Sequence, residues 1–460
     1  MSGEGGSDGA GAGDGTGSGD GTGDGGPVFA SEPDDARRRP DAPTSDLRFL
    51  TDALDAADAD AFVAVGDRFD DDLRYLTRFD GPDREYALVV TPETATLCAP
   101  ALFAEQAERE FVGATPPAET DAPTATHAAD APTDVPPAPT RHVETATVGD
   151  PAGERAAAVV TERTGAGSAV LVPRSIPHDA AVYLERAGHE VASTDAVADA
   201  REAKAPDELE CLRRVQRATA RGMARAETIL AESEVGAPGS DDGDGDDEAP
   251  VLVWEGGPLS TERLRRQVNA TLAAYGVRDA GNTVIGTGSS GADLHYTGVD
   301  LVRPGETVLL DVSPRGPHGY YGDMTRTFVV AGDGGWERRA YVAVRAAREA
   351  ALAEVEPGAA AGTVHAEAAA ELAAYGFDPA ASEGEAGFTH GTGHGVGVSL
   401  HEGPSLSAEA ELRPGHVVTV EPGVYDPETG GVRLEDLIVV TENGYEILHE
   451  YPFGSVPKRR

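Results

Sequence analysis

The chain of 460 residues carries 80 acidic against 37 basic side chains, a formal net charge of −43, and its only lysines are Lys204 and Lys458. This composition argues against a nucleic acid as partner, because phosphate recognition needs a basic footprint. The acid excess is spread along the chain, which suits a surface adapted to a high-salt cytoplasm better than a charged binding tail.

Residues 1–35 are Gly, Asp, Ser and Thr with hardly an apolar side chain. Burial there cannot offset the entropy of ordering, so a disordered tail is expected, running to residue 44. It has neither the basic start nor the apolar centre of a signal peptide, and no later apolar run approaches the roughly 20 residues that span a bilayer. A cytoplasmic protein with no membrane contact is the expectation.

Residues 45–200 alternate helix and strand signals, with FVAV at 62–65, YALVV at 86–90 and AVLV at 169–172 as strands, and read as an α/β domain. Within it, residues 115–140 are rich in Pro, Ala, Thr and Asp and read as a surface insertion. Cys98 and Cys211 match no metal spacing and are expected to be small buried hydrophobes in a reducing compartment.

At 201–212, REAKAPDELECL opens a helix with Pro206 in its first turn and acids at its positive end, marking a domain junction. Leu209, Leu212 and Val215 start an apolar stripe that runs on to Met223 and Ile229, and 233–250 reads as a solvated acidic loop. The glycines at 286–291 lack the lysine of a phosphate loop.

The second domain, 201–460, is built on an internal repeat. VLLDVSPRGPHGYYGDMTRTF at 308–328 reads as a hairpin: a buried strand ends in Asp311, a Pro/Gly turn follows, and a second strand returns through Asp323. His318, in the turn, is expected to be exposed. LRPGHVVTVE at 412–421 aligns without gaps on VRPGETVLLD at 302–311, so Glu421 falls on Asp311, and Glu435 takes the place of Asp323 to within two positions. LAAYG at 272–276 returns at 372–376, and repetition of this kind implies two halves about a pseudo-twofold axis. Four carboxylates converging there would repel one another and titrate upward unless cations held them, which makes a metal site the simplest account. Between the halves, THGTGHGVGVSLHE at 389–402 offers His390, His394 and His401 among glycines that let backbone approach a ligand closely. One histidine with four carboxylates suits a pair of divalent ions.

These dispersed motifs resemble the M24 metallopeptidases of pita-bread fold, in their Xaa-Pro dipeptidase and aminopeptidase branch. The resemblance covers nearly all of 201–460. It implies an α/β (α+β) chain with a pita-bread catalytic domain, and the segment DLRYLT at 72–77, followed by Phe79 and Gly81, resembles the smaller creatinase-type N-terminal domain. Carried over residue by residue, it implies Asp311, Asp323, His394, Glu421 and Glu435 as metal ligands, with Asp323 and Glu435 bridging. The Asp311 to Asp323 spacing is one residue longer than usual in the family, and a lengthened hairpin tip absorbs this most simply.

The resemblance also implies roles around the ligands. His295 and His401 would contact the substrate near the scissile bond, and Glu421 would shuttle a proton to the departing proline nitrogen. Arg433 would sit near the proline end of the substrate or make a salt bridge behind the site. Tyr425 would line the same pocket or pack in its turn, and His390 divides evenly between a substrate role and a structural one. Thr325 and Arg326 would support the ligands. The implied reaction is hydrolysis of the bond between an N-terminal residue and proline in a short peptide, by hydroxide shared between two divalent ions. Manganese is favoured by the carboxylate-rich set, with cobalt or iron as alternatives, and a homodimer is expected by analogy. A methionine aminopeptidase would lack the N-terminal domain, a creatinase-like hydrolase or lyase tends to have altered ligands, and a non-enzymatic binding module of the same fold has usually lost them.

Overall fold

In the first part of the chain the strands β1 (Ala61–Gly66), β2 (Tyr86–Val90), β3 (Thr94–Pro100), β4 (Thr140–Ala146), β5 (Ala169–Pro173) and β6 (Glu190–Thr194) form one sheet in the order β4-β3-β2-β1-β5-β6. It is mixed, β1 running antiparallel to β2 and parallel to β5. Every residue of β1 and β2 is buried, so their side-chain alternation sorts residues into two cores and leaves no face for solvent. Phe62, Tyr86 and Leu88 pack with α1 (Arg48–Ala57), α2 (Asp71–Thr77), α3 (Ala104–Glu110) and Val197. Val63, Val65 and Val89 pack on α4 (Ala152–Thr164) and α5 (His178–Arg186). This double cover is why these strands read as unbroken apolar runs.

The computed structural model describes residues 42–116, 137–146, 149–236, 249–382 and 384–460. The expected disordered tail up to residue 41, most of the 115–140 insertion and 237–248 of the acidic loop lie outside the described residues. The chain is already tied in ahead of residue 45, since the Thr44 N–H and hydroxyl both donate to Asp207 Oδ2, at 2.8 and 2.9 Å. Among the described residues, no helix is long and apolar enough to cross a membrane. Cys98 and Cys211 are both buried.

After the short helix α6 (Ala196–Glu202), Pro206 opens α7 (Pro206–Glu232), where Glu208 Oε2 accepts the free N–H of Ala205 at 2.9 Å. The stripe through Leu212, Val215, Met223 and Ile229 is buried as its spacing implies. Glu234–Gly236, expected to begin the acidic loop, instead form a strand, β7, on β8 (Val251–Trp254), which continues to β9 (Gly257–Pro258). Pairing with β7 satisfies main-chain groups of β8 that burial would otherwise strand.

The repeat is present at every level. α8 (Thr261–Ala274) precedes β10 (Thr283–Thr287), β11 (Thr307–Val312) and β12 (Thr325–Val329); α9 (Trp336–Ala353) and α10 (Ala361–Ala374) precede β13 (Val417–Val420). A small hairpin, β14 (Gly423–Asp426) and β15 (Gly430–Arg433), is inserted before β16 (Asp436–Thr441) and β17 (Gly444–Ile447). β11 pairs β12 with Asp311 opposite Thr325, and β13 pairs β16 with Val420 opposite Asp436. Both pairs therefore deliver carboxylates at the same end. α8 buries Leu264, Val268 and Leu272 and α10 buries Val364, Ala368 and Leu372, the same one-sided stripe in each half. Each set closes a separate core over its own strands, and Cys211 and Leu212 of α7 join the halves by packing on Val417, Leu437 and Val439.

His318 is not exposed as the turn composition implied, but buried. The hairpin tip lies against α2, whose Arg74 Nη2 donates to Pro317 O at 2.9 Å. Truncating either member of the repeated stripe, Leu272→Ala or Leu372→Ala, removes a fully buried side chain and should cost about 2–5 kcal/mol. The check is the denaturant midpoint at unchanged slope, with Leu102→Ala, 88 % exposed, as the control that shifts stability by less than about 0.5 kcal/mol.

Candidate metal centre

Asp311 stands in β11, and Asp323 lies two residues before β12 opens at Thr325; Glu421 follows β13, and Glu435 sits between β15 and β16. One carboxylate oxygen each from Asp311, Asp323 and Glu435 lie within 4.8 Å of one another. His394 Nε2 approaches Glu421 Oε1 at 3.3 Å and Asp323 Oδ2 at 3.9 Å. The five residues implied as ligands thus come together from both halves.

Their backbones are held separately. The Gln216 side chain of α7 clamps Asp323, accepting its N–H at 2.9 Å and donating to its carbonyl at 2.6 Å. Arg326, 1 % exposed, donates to the carbonyl of Glu435 and at 2.9 Å to Asp436 Oδ1. Thr325 Oγ1 donates to Glu435 Oε2 at 2.7 Å and accepts from Arg433 Nε at 3.0 Å. The Ser313 hydroxyl is within reach of Asp311 Oδ1 (3.2 Å) and Asp323 Oδ1 (2.8 Å). His394 donates from Nδ1 to Gly395 O at 3.1 Å, which leaves Nε2 unprotonated when the ring is neutral and free to act as a ligand.

Electrostatics divide the acids. Burial, with repulsion from Asp311 and Glu421, pushes the Asp323 carboxyl well above its usual range, and burial with Asp323 does the same to Glu435. Asp311 is also raised by burial, although Arg433 beside it opposes the shift. Glu421 goes the other way: burial is outweighed by the hydrogen bond and charge of His394, which hold it at about 2, while the same pairing lifts His394 to about 9 against burial. Burial and mutual repulsion thus oppose the ionisation of all three carboxyls, and a bound cation would relieve both. Glu435 Oε1 is buried and has no hydrogen-bond donor among the described residues, although a carboxylate can accept several. The donor set of four carboxylates and one imidazole therefore fits hard or borderline divalent ions.

The ligands line a cavity of about 370 Å³ whose wall also includes His295, His390, His401 and Arg433. His401 is turned onto His394 with ring centroids 4.3 Å apart, and His295 reaches the cavity from an exposed loop. Arg433, 3 % exposed, is engaged behind the site: Nη2 pairs with Asp311 Oδ2 at 2.6 Å and Nη1 donates to Tyr425 OH at 2.9 Å. Tyr425 is itself buried and bonded to His390 Nε2 at 2.8 Å, and burial lowers His390 to about 4. The salt bridge read for Arg433 is present, made by a residue that also lines the cavity, and Tyr425 packs behind His390.

Gly391 and Gly393 of the histidine stretch line the cavity, and Gly393 and Gly395 also make room for the protein's own backbone. A Cβ on Gly393 would come within 1.9 Å of Thr419 O, and one on Gly395 within 2.1 Å of Gly403 O. Ser313, Gln216 and Thr419, whose hydroxyl accepts from the His394 N–H at 3.0 Å and donates to Glu421 Oε1 at 3.1 Å, escaped the sequence reading. Only Gln216 left a signal there, as an amide beside Val215 in an otherwise apolar stripe.

Known proteins resemble this chain in sequence and in fold. The chain is 37 % identical over 170 residues to the Xaa-Pro dipeptidase of Pyrococcus horikoshii, over 36 % of this chain and 46 % of that one. Its structure is similar to that of the prolidase from Pyrococcus horikoshii OT3, with a TM-score of 0.69 and 22 % identity over 89 % of this chain and 99 % of that one. It is similar also to the X-Pro aminopeptidase from Thermotoga maritima, with a TM-score of 0.66 and 19 % identity over 86 % of this chain and 96 % of that one. Those likenesses show the fold, a pita-bread domain preceded by an N-terminal domain. The chain spans less than half the length of the first curated relatives it matches, 41 % of one and 46 % of another. The model of metallopeptidase family M24 matches residues 210–442, about half of the chain and the part that carries all five acidic and histidine groups of the centre, and the chain belongs to that family.

Proposed function

We propose that the chain is a dinuclear-metal peptidase that hydrolyses the bond between an N-terminal residue and proline, as an Xaa-Pro dipeptidase or Xaa-Pro aminopeptidase. The observation that carries this reading is the cluster of half-buried Asp311 with buried Asp323 and Glu435, drawn from two hairpins to within 4.8 Å. Asp311, Asp323, His394, Glu421 and Glu435 would hold two divalent ions, manganese first among them. When bound, such ions lower the pKa of a shared water towards neutrality and polarise the peptide carbonyl.

The chain's own residues do the rest. Asp323 and Glu435 are fixed through their main chains by Gln216 and Arg326, so the ligand oxygens are set before substrate arrives. Arg433 favours the ionised form of Asp311, and Thr325 orients the Glu435 carboxyl through its hydrogen bond. His401 and His295, facing the cavity, would donate to the oxygen on which charge develops. Glu421 would take a proton and return it to the departing proline nitrogen. The peptide itself would lie in the cavity beside His390.

The test is hydrolysis of Ala-Pro against Ala-Pro-Ala in molar salt with added manganese. Cleavage of the dipeptide alone identifies a dipeptidase, and preference for the tripeptide an aminopeptidase; neither peptide being cleaved by the metal-loaded protein would sink the proposal. Glu435→Ala should lower kcat/KM about a thousandfold, roughly 4 kcal/mol of lost stabilisation. A chelator should abolish turnover of the intact enzyme, and manganese restore it. Thr325→Val, which keeps the shape and removes the hydroxyl between Arg433 and Glu435, should weaken manganese binding by about 10–100-fold, read by calorimetric titration.

A further inference from the structure

Glu402 follows His401 and is nearly buried, its side chain 8 % exposed. Two cations meet its carboxylate: Arg201 Nη2 at 2.6 Å and Lys204 Nζ at 2.7 Å, the lysine side chain being 1 % exposed. Arg201 reaches on through Nη1 to Asp72 Oδ1 in the first turn of α2, at 2.7 Å. Lys204 is one of two lysines in a chain that otherwise uses arginine for its fixed cations.

The loop that carries His401 is wrapped around this carboxylate. Gly395 and Glu402 exchange main-chain hydrogen bonds of 3.0 and 2.9 Å, closing the loop at its base. The Glu402 side chain then folds back inside it, so that a Cβ on Gly397 would stand 2.2 Å from Glu402 Oε1. The base of the loop also fixes the spacing of its flanking histidines, with His394 and His401 4.3 Å apart. His401 itself is exposed at the cavity. Its place is set by the loop and not by a bond to the ring.

Burying a carboxylate between two cations is a poor way to gain stability, since desolvation consumes most of the attraction, but it can select one backbone arrangement. We infer that Lys204 and Arg201 are positioning residues for His401: acting through Glu402, they hold the 395–402 loop in the one conformation that turns His401 onto the cavity, and Asp72 completes the clamp from the N-terminal domain. This rests on the function proposed above, in which His401 meets the developing charge. Released from the clamp, the loop would keep, from charged groups at its centre, the bond from Arg315 Nη2 to Val398 O at 3.2 Å and that from Ser399 Oγ to Asp71, and an error of about 1 Å in a reacting group can cost on the order of a hundredfold in rate.

The experiment is a double-mutant cycle between Lys204→Met and His401→Ala on the manganese enzyme with an Xaa-Pro substrate. Lys204→Met should lower kcat about 10–100-fold with KM changed less than about threefold, Lys204→Arg should recover most of the loss, and the double variant should be no slower than His401→Ala alone. An unchanged kcat in Lys204→Met, or losses that multiply in the double variant, overturns the inference. Glu402→Gln, which keeps the loop's shape, should show the same lack of additivity if Lys204→Met does not fold. A second readout needs no turnover: with zinc in place of manganese, the imidazole Hε1 resonance of His401, shifted by the adjacent ring of His394, should move in Lys204→Met and return in Lys204→Arg. If neither peptide is cleaved but the resonance moves, the clamp stands and the peptidase reading falls; a resonance that stays put overturns the clamp.

Discussion

The structure depends on keeping acids of like charge together where water is scarce. Asp311, Asp323 and Glu435 are pushed up by their own burial before any neighbour is counted, and each then repels the others. An isolated loop would spread such groups apart. Here each is attached to a strand end whose main chain is pinned elsewhere, so repulsion cannot be relieved by movement and is instead available to a cation.

The pinning crosses between the halves. Glu435 N–H donates to Thr325 O at 3.2 Å, Arg326 of the first half donates to Glu435 O, and the Arg433 N–H donates to Thr327 Oγ1 at 3.1 Å. Two hairpins that would otherwise be related only by sequence are thereby locked at one separation. Arg326 is in turn held by Asp436 and by the carbonyl of Tyr451 near the end of the chain, with its guanidinium 4.3 Å from the Phe453 ring centroid. The repeat explains why two carboxylates arrive from each side. The asymmetry lies in the clamps: an amide from α7 on Asp323, a guanidinium on Glu435.

Much of this was legible in the sequence because it rests on periodicity and on residue types rare inside strands. The LAAYG copies located α8 and α10, and the acids after VLL and VTV located the strand ends. What could not be read was partnership at a distance. Nothing near Arg433 tells whether its guanidinium meets a substrate or Asp311, because that depends on the register of β15 against the first half. His318 looked like a turn residue because its turn is polar and Gly/Pro-rich; it is buried because another domain lies on it. The contact of Gly393 with β13 is of the same kind, since a Cβ there would stand 1.9 Å from Thr419 O, a neighbour that the local sequence does not reveal.

The first domain bears on the loops that flank the centre through the short helix α2. α2 and the residue after it send Asp71 to Arg315 at 2.6 Å, Asp72 to Arg201, Arg74 to the hairpin carbonyl of Pro317, and Arg78 to Tyr320 OH at 2.6 Å and Glu208 at 3.3 Å. Asp71 also accepts from Ser399 Oγ, at the edge of the loop that ends in His401 and Glu402. Two of the structures against which this helix lies, the hairpin tip beyond Asp311 and the loop beyond His394, lead directly from proposed ligands. A helix of seven residues is too short to be stable alone, so its conformation and these contacts stand or fall together. The segment DLRYLT therefore marks more than a familiar domain: it is the place where that domain bears on the loops of the site, and the charges it carries are spent almost entirely on that contact.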